Sequence, residues 1–413
     1  AAAWLPLLLA IIEVIIRKQE EKEGGPFVPI IYVVLGAFAL GVHILAGHPE
    51  ILVYTLMVMA YYALARLAVL WWRLRSWKPV VRLAAWLGFM VGLGLGLGSV
   101  QLIPLFELVT RSFREGSVTY SDVVGWAYPT RQVFTFLVPD FFGNPAHHGY
   151  WDIVSREWVA VDRIFWGIKN YVEAGSYVGI LPLILAVVAV LPAVKRSASA
   201  TRTRRGLPSA LRPQVWIFAI LAVASLLFVF GTPLYALLYY GLPGIKQLHS
   251  PFRWVFPYTL SIAVLAGIGL QRLVGLQRDA GEESGKEGAQ PAPRRPWIGL
   301  LTWGALAGGV AVVIGLMGIL LVPGPFIPLA DRFLDAVEEA RSAFGSGEML
   351  LSYQWRNFLI FGLMLAGSGL VLYLSRRPMR GPRWLSGRSA DGKGGRLPLV
   401  GLLAVILVAA DLL

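Results

Sequence analysis

Cysteine is absent from the 413 residues, which excludes disulfides and thiolate metal sites and leaves the redox compartment unreadable from thiols. Charge is scarce too. Asp, Glu, Lys and Arg make up 15% of the chain, against about 25% in ordinary soluble domains. Hydrophobic residues make up 56%, and mean hydropathy is +0.64. That balance excludes a water-soluble globular domain and predicts a polytopic bundle of membrane helices. No sequence repeat stands out, which weakens an inverted-repeat transporter reading. Residues 1–16 lack an initiator Met, a basic n-region and a cleavage pattern, so an internal piece of a longer protein is expected.

Apolar runs fall near 1–16, 27–46, 50–72, 80–109, 173–194, 215–231, 252–272, 297–322, 353–374 and 397–413. Each is close to the ~20 residues that cross ~30 Å of hydrocarbon, so about ten spans are expected. The net charge of +13 raises the question of nucleic acid, but no nucleic-acid partner is inferred, because the basic residues follow the membrane. They concentrate in the connections 17–26, 73–82, 195–214, 273–296 and 375–396, with Arg66 and Arg272 at helix ends. By the positive-inside rule these face the cytoplasm. The stretches 275–296 and 375–396 read as solvated basic linkers.

This threading leaves the 47–50 turn, 110–172, 232–251 and 323–352 outside, and so predicts that the chemistry sits on the extracytoplasmic face. Residues 119–145 mix aromatics and prolines too often for a spanning helix. They read as two short interfacial helices capped by Ser121 and Thr130, the second ending at Pro139. The 232–258 stretch is broken by Pro233, Pro243, Pro251 and Pro257 and reads as a re-entrant or surface-lying turn.

Candidate chemistry follows from residue type. Asp140, fixed in Pro-Asp-Phe-Phe-Gly-Asn-Pro, is the favoured carboxylate base, and Glu50, held by Gly47 and Pro49, is the second. For Glu50 the competing reading is a first-turn helix acid. Arg253, Lys246 and His249 place cationic or donor groups at lipid-phosphate depth, with headgroup snorkelling as the plain alternative. His48, Arg111 and Arg131 are further candidates for the same phosphate. His147 and His148 lie between Asp140 and Asp152, so imidazole and carboxylate ligands for a divalent metal are conceivable, but the spacing matches no strong motif and no metal is assigned. His43 reads as a hydrogen-bonded bundle residue. The run from Gly88 to Gly98 reads as close helix packing rather than a phosphate loop, and Glu13 as an interfacial partner of Arg17 and Lys18.

Several segments together resemble the YfhO-like family of bacterial membrane proteins, within the GT-C type of polyprenyl-phosphate-dependent glycosyltransferases. They are Trp4-Leu5-Pro6, Ala46-Gly47-His48-Pro49-Glu50, Gln101-Leu-Ile-Pro104-Leu-Phe-Glu107, Leu137-Val-Pro139-Asp140-Phe-Phe-Gly143, Tyr177-Val-Gly179, and Ser250-Pro251-Phe252-Arg253 before Ala266-Gly267-Ile-Gly269-Leu. The resemblance implies sugar transfer outside the bacterial cytoplasmic membrane, from an undecaprenyl-phosphate carrier to a cell-envelope glycan, without a required metal cofactor. It also implies that the principal base of that type lies in a first outer loop upstream of these residues. Two rival readings are carried forward. One is a non-catalytic subunit that contacts membrane lipids and other membrane subunits. The other is a transporter, disfavoured by spans nearly free of charge at mid-depth.

Overall fold

The structure is a computed structural model that describes residues 2–22, 28–111, 118–191, 212–242, 245–247, 250–283, 296–376 and 399–413. The calls on His249, on most of 375–396 and on 195–211 lie outside these residues. Among the described residues, five helices are long and apolar enough to cross a bilayer: Pro49–Leu74, Trp77–Leu97, Pro251–Gly275, Pro296–Leu321 and Gly347–Ser375. The chain is a membrane protein. The other apolar runs carry helices of 11–18 residues, and the first of these includes Glu13, Arg17, Lys18, Glu20 and Glu21.

Residues cluster into two units, one of 1–127 with 220–260 and one of 128–219 with 261–413. The first contains α1 (Trp4–Glu21), α2 (Ile30–Leu45), α3 (Pro49–Leu74), α4 (Trp77–Leu97), α5 (Ser99–Thr110) and α6 (Tyr120–Gly125). The expected single run 80–109 is broken at Gly98, between α4 and α5. Of its glycines, only Gly94 and Gly98 serve the predicted packing. A Cβ on Gly94 would lie 2.8 Å from Leu40 Cδ2, and one on Gly98 would lie 2.6 Å from Ile44, both on α2, whereas Gly88, Gly92 and Gly96 face open space.

Charge, not only apolar surface, joins α1 to α3. Arg66 is buried, with Nε 2.7 Å from Glu13 Oε2 and Nη2 3.3 Å from Glu20 Oε1. The Tyr62 hydroxyl donates to Glu13 at 2.8 Å, and Arg17 approaches the same carboxylate at 2.6 Å. Arg66 was expected near a helix end, yet it lies eight residues before Leu74, about 12 Å along the axis at ~1.5 Å per residue. Buried His43 lies on α2.

The second unit begins with a segment that is not helical. A 3-10 turn at Thr130–Phe136 leads into two small antiparallel ladders. The strands are β1 (Gly143–Asn144), β2 (Gly149–Trp151), β3 (Trp158–Ala160) and β4 (Ile164–Phe165). β1 pairs with β4 as Gly143↔Phe165, and β2 with β3 as Trp151↔Trp158. Gly143 has φ +84, and a Cβ there would collide with the Ile164 carbonyl, so this close crossing requires glycine.

The chain continues through α7 (Ile180–Val190), α8 (Arg212–Val229), α9 (Tyr235–Gly241) and α10 (Val255–Glu283), so the expected 275–296 linker starts as helix. Then come α11 (Pro296–Leu321), α12 (Ile327–Ala336), α13 (Glu338–Ala343), α14 (Gly347–Ser375) and α15 (Leu399–Leu412). Among the described residues, two buried clusters organise the second unit. Leu181, Leu185, Leu273, Leu372 and Val400 join α7, α10, α14 and α15. Phe142, Ile164, Trp166, Leu334, Phe344 and Tyr353 join the strands to α12, α13 and the start of α14. Residues 141–166 and 330–353, from two segments expected on one face of the membrane, therefore share a core.

Candidate functional site

In the first unit, two sequence segments about two hundred residues apart meet. Gly47 (φ +74) turns the chain, and His48 caps α3 by accepting the Ile51 N–H at Nδ1, 3.3 Å away. Glu50 therefore falls in the first helical turn, where its charge suits the helix dipole. Arg253, on the 3-10 turn Pro251–Trp254, places Nε 2.6 Å from Glu50 Oε2. The neighbouring Tyr54 hydroxyl donates to the Ser250 carbonyl at 2.9 Å, and its ring stands edge-on to Trp254. The sequence offered Glu50 as a base and Arg253 as a phosphate ligand, and the fold makes them each other's ion pair. Burial and the nearby Glu50 raise the Tyr235 hydroxyl to about 12.

The other phosphate candidates are engaged as well. Lys246 Nζ stands 5.5 Å over the Tyr239 ring and 5.9 Å over Tyr240. Arg111 pairs with Glu107 at 3.0 Å on an exposed helix face. In the second unit, Arg131 pairs with Glu339 at 3.1 Å and sits over the Phe142 and Trp166 rings.

Asp140 belongs to the second unit. Its Oδ1 accepts the Tyr171 hydroxyl at 2.8 Å and Asn144 Nδ2 at 3.3 Å, while its Oδ2 lies 4.0 Å from His147 Nε2. Asn357 from α14 donates to the Asp140 backbone carbonyl at 3.1 Å and fixes the turn from behind. On its far side, His147 places Nδ1 2.9 Å from the Tyr353 hydroxyl. Burial, aided by Arg356 and opposed by Asp140, lowers the His147 pKa below its ordinary value. Burial and the Asp140 carboxylate push the Tyr171 phenol upward, so it stays a donor at neutral pH.

Beside this carboxylate lies a cavity of about 420 Å³. Pro139, Phe142 and Gly143 from one sequence motif line it together with Tyr177 from another. Asp140 is not among the lining residues, but its partner Tyr171 is. Thr135 and Ser176, both buried, face each other with hydroxyls 2.7 Å apart, and Lys169 completes the polar lining. Burial lowers the Lys169 pKa, with Glu173 opposing. The sequence reading missed Lys169, Tyr171 and Ser176. Their one sequence signal is an aromatic and polar loop, 166–179, running into Gly179.

That loop is tied down at its end. Gly179 (φ +88) precedes α7, and Asp411 of α15 accepts both the Ile180 N–H at 2.8 Å and the Tyr177 hydroxyl.

Ser121 and Thr130 do not cap as expected. Thr119 Oγ1 accepts the Asp122 N–H at 3.3 Å and caps α6, and Pro129 stands before the 3-10 turn, which ends at Phe136 rather than Pro139. Of the four residues that the sequence suggests for a divalent ion, Asp140 and His147 approach each other at 4.0 Å, while His148 and Asp152 have other partners. His148 Nδ1 meets the Asp162 carbonyl at 2.9 Å, and Asp152 accepts the Val154 N–H at 2.8 Å. Among the described residues, no three His, Asp or Glu side chains form a metal-sized group.

Compared with protein-family models, curated proteins and solved structures, the chain matches none.

Proposed function

We propose that this chain is a multi-pass glycosyltransferase of the bacterial cytoplasmic membrane, with about ten spans and its working face extracytoplasmic. In this reading it moves a sugar from an undecaprenyl-phosphate carrier to a cell-envelope glycan, as the YfhO-like, GT-C resemblance implies. The observation that carries the reading is the Asp140 carboxylate, held by Tyr171 and Asn144 beside a cavity with aromatic walls and hydroxyl groups. Small-molecule sites have this character: mostly apolar walls and a few fixed polar groups.

The chemistry is an inverting displacement. Asp140 Oδ2 takes the proton from an acceptor hydroxyl as its oxygen bonds to the anomeric carbon. The bond from that carbon to the carrier phosphate breaks, and the phosphate leaves with the electron pair. A cation then stabilises the growing charge on the leaving group.

The test uses the full chain in liposomes with polyprenyl-phosphate sugars, following transfer of labelled sugar. Asp140→Asn should lower the rate by about 10²-fold or more, the scale of general-base catalysis. Full activity in that variant, or no turnover of any such donor by the unaltered protein, would remove the reading.

One observation favours a non-catalytic subunit instead. Glu50 with Arg253, Arg111 with Glu107, and Arg131 with Glu339 are all paired within the fold. In that reading the chain co-purifies with membrane partners at fixed stoichiometry.

A further inference from the structure

We propose that the cavity lined by Phe142, Phe165, Tyr171 and Tyr177 binds one monosaccharide unit bearing a negative charge, with Lys169 reading that charge. This deepens the glycosyltransferase reading and rests on it for biological context, but it makes a separate claim about binding.

The size argument comes first. A volume of about 420 Å³ lies low in the roughly 300–1,000 Å³ range of small-molecule pockets, which suits a single ring better than a chain. The walls argue for a sugar rather than a purely apolar guest. Aromatic rings give flat apolar faces that match the C–H face of a pyranose. Thr135, Gln132 and Ser176, all buried and hydrogen-bonded to one another, put hydroxyl and amide groups on the same lining. Hydroxyls turn to donate or accept as a ring of hydroxyls requires.

Charge completes the case. Lys169 is the cationic residue among those lining the cavity. Burial disfavours its ammonium form, with Glu173 opposing that effect. An anionic substituent entering the cavity adds a second favourable charge where solvent screening is reduced. A carboxylate, as in a uronic acid, and a phosphate ester share this chemistry.

The experiment is calorimetric titration of the purified full chain with three probes: methyl glucoside, methyl glucuronoside and glucose 1-phosphate. The expected result is at least tenfold tighter binding of one or both anionic probes than of the neutral one. The uronate and phosphate arms separate the two sources of charge. Lys169→Gln should erase that preference, and Lys169→Arg should restore it. Rescue by arginine also shows that the glutamine variant is not merely misfolded.

Equal binding of all three probes, a preference that survives in Lys169→Gln, or no binding of any probe would overturn the proposal. Transfer activity is read separately. Turnover without the charge preference removes this inference alone, and charge-selective binding without turnover of any polyprenyl-phosphate donor removes the enzymatic reading alone.

Discussion

Replacing Arg66 with Met tests whether the charges between α1 and α3 hold the first unit together. The substitution keeps most of the side-chain volume and removes the guanidinium. Two limits bracket the cost. Breaking a buried ion pair by removing one partner costs about 3–5 kcal/mol, because the other charge is left in low dielectric. Interhelical polar contacts within membranes average only about 0.6 kcal/mol by double-mutant cycles. Arg66 is 1% exposed and Glu13 14%, which favours the larger figure. Glu13 keeps Arg17 and Tyr62, and Glu20 keeps Arg73 at 3.4 Å. Arg17 and Arg73 are 40% and 46% exposed, so solvent weakens what they return. The expected loss is therefore near the lower end, about 3 kcal/mol. Adding Glu13→Gln removes the stranded charge and should recover more than half of it. Reversible unfolding in mixed micelles, followed by tryptophan fluorescence, measures both variants. A single variant within about 0.5 kcal/mol of the unaltered protein, or a double variant whose losses simply add, would refute the reasoning.

The remaining predictions concern the second unit and the Glu50 pair. His147 has its pKa lowered by burial, so the unfolded chain protonates first as pH falls. Stability should hold above the ordinary histidine value and decline below it, and His147→Gln should remove that acid-side slope in unfolding midpoints between pH 7.5 and 5. Asp411→Ala removes the acceptor shared by Ile180 N–H and Tyr177. A loss of about 1–2 kcal/mol is expected, on the scale of a helix cap, and thermal unfolding should show it. Gly179→Ala should cost stability in the same assay, because φ is +88 and the added Cβ would sit 3.1 Å from Asp411 Oδ2. Glu50→Gln discriminates two roles for Arg253. If Arg253 serves a lipid phosphate, losing its competitor should tighten binding of a polyprenyl phosphate; if the pair is only structural, the variant loses stability and gains no affinity.

Hydropathy made the long helices legible, because a span is a property of composition over a window and needs no partner. The packing role of Gly94 and Gly98 was legible for a related reason: spacing of four puts both on one face. Glu50 as a first-turn acid could be read from Gly47 and Pro49 alone. The β-ladders could not. Strands of two and three residues, such as Gly143–Asn144 and Trp158–Ala160, are too short to show a period of two. Thr119 displaced Ser121 as the cap because both are good capping residues two positions apart, and only the backbone geometry decides between them.

The candidate site was less legible than the fold, because sequence supplies charges without their partners. Glu50 and Arg253 each looked available when read separately. Folding joins them at 2.6 Å, so any use of either begins with breaking that pair. Arg66 was read as one of many basic residues near a membrane face, yet two carboxylates of α1 surround it. The motif holding Asp140 was recognised from its prolines and aromatics, but the residues that complete its surroundings lie in the plain-looking loop 166–179. Their relation to Asp140 depends on β1 pairing with β4, which brings Gly143 against Phe165 and the loop after it beside the carboxylate. A four-residue pairing invisible to periodicity thus decides which groups share the site. Substitutions at Gly143 should therefore disturb the Asp140–Tyr171 hydrogen bond, although neither residue is altered.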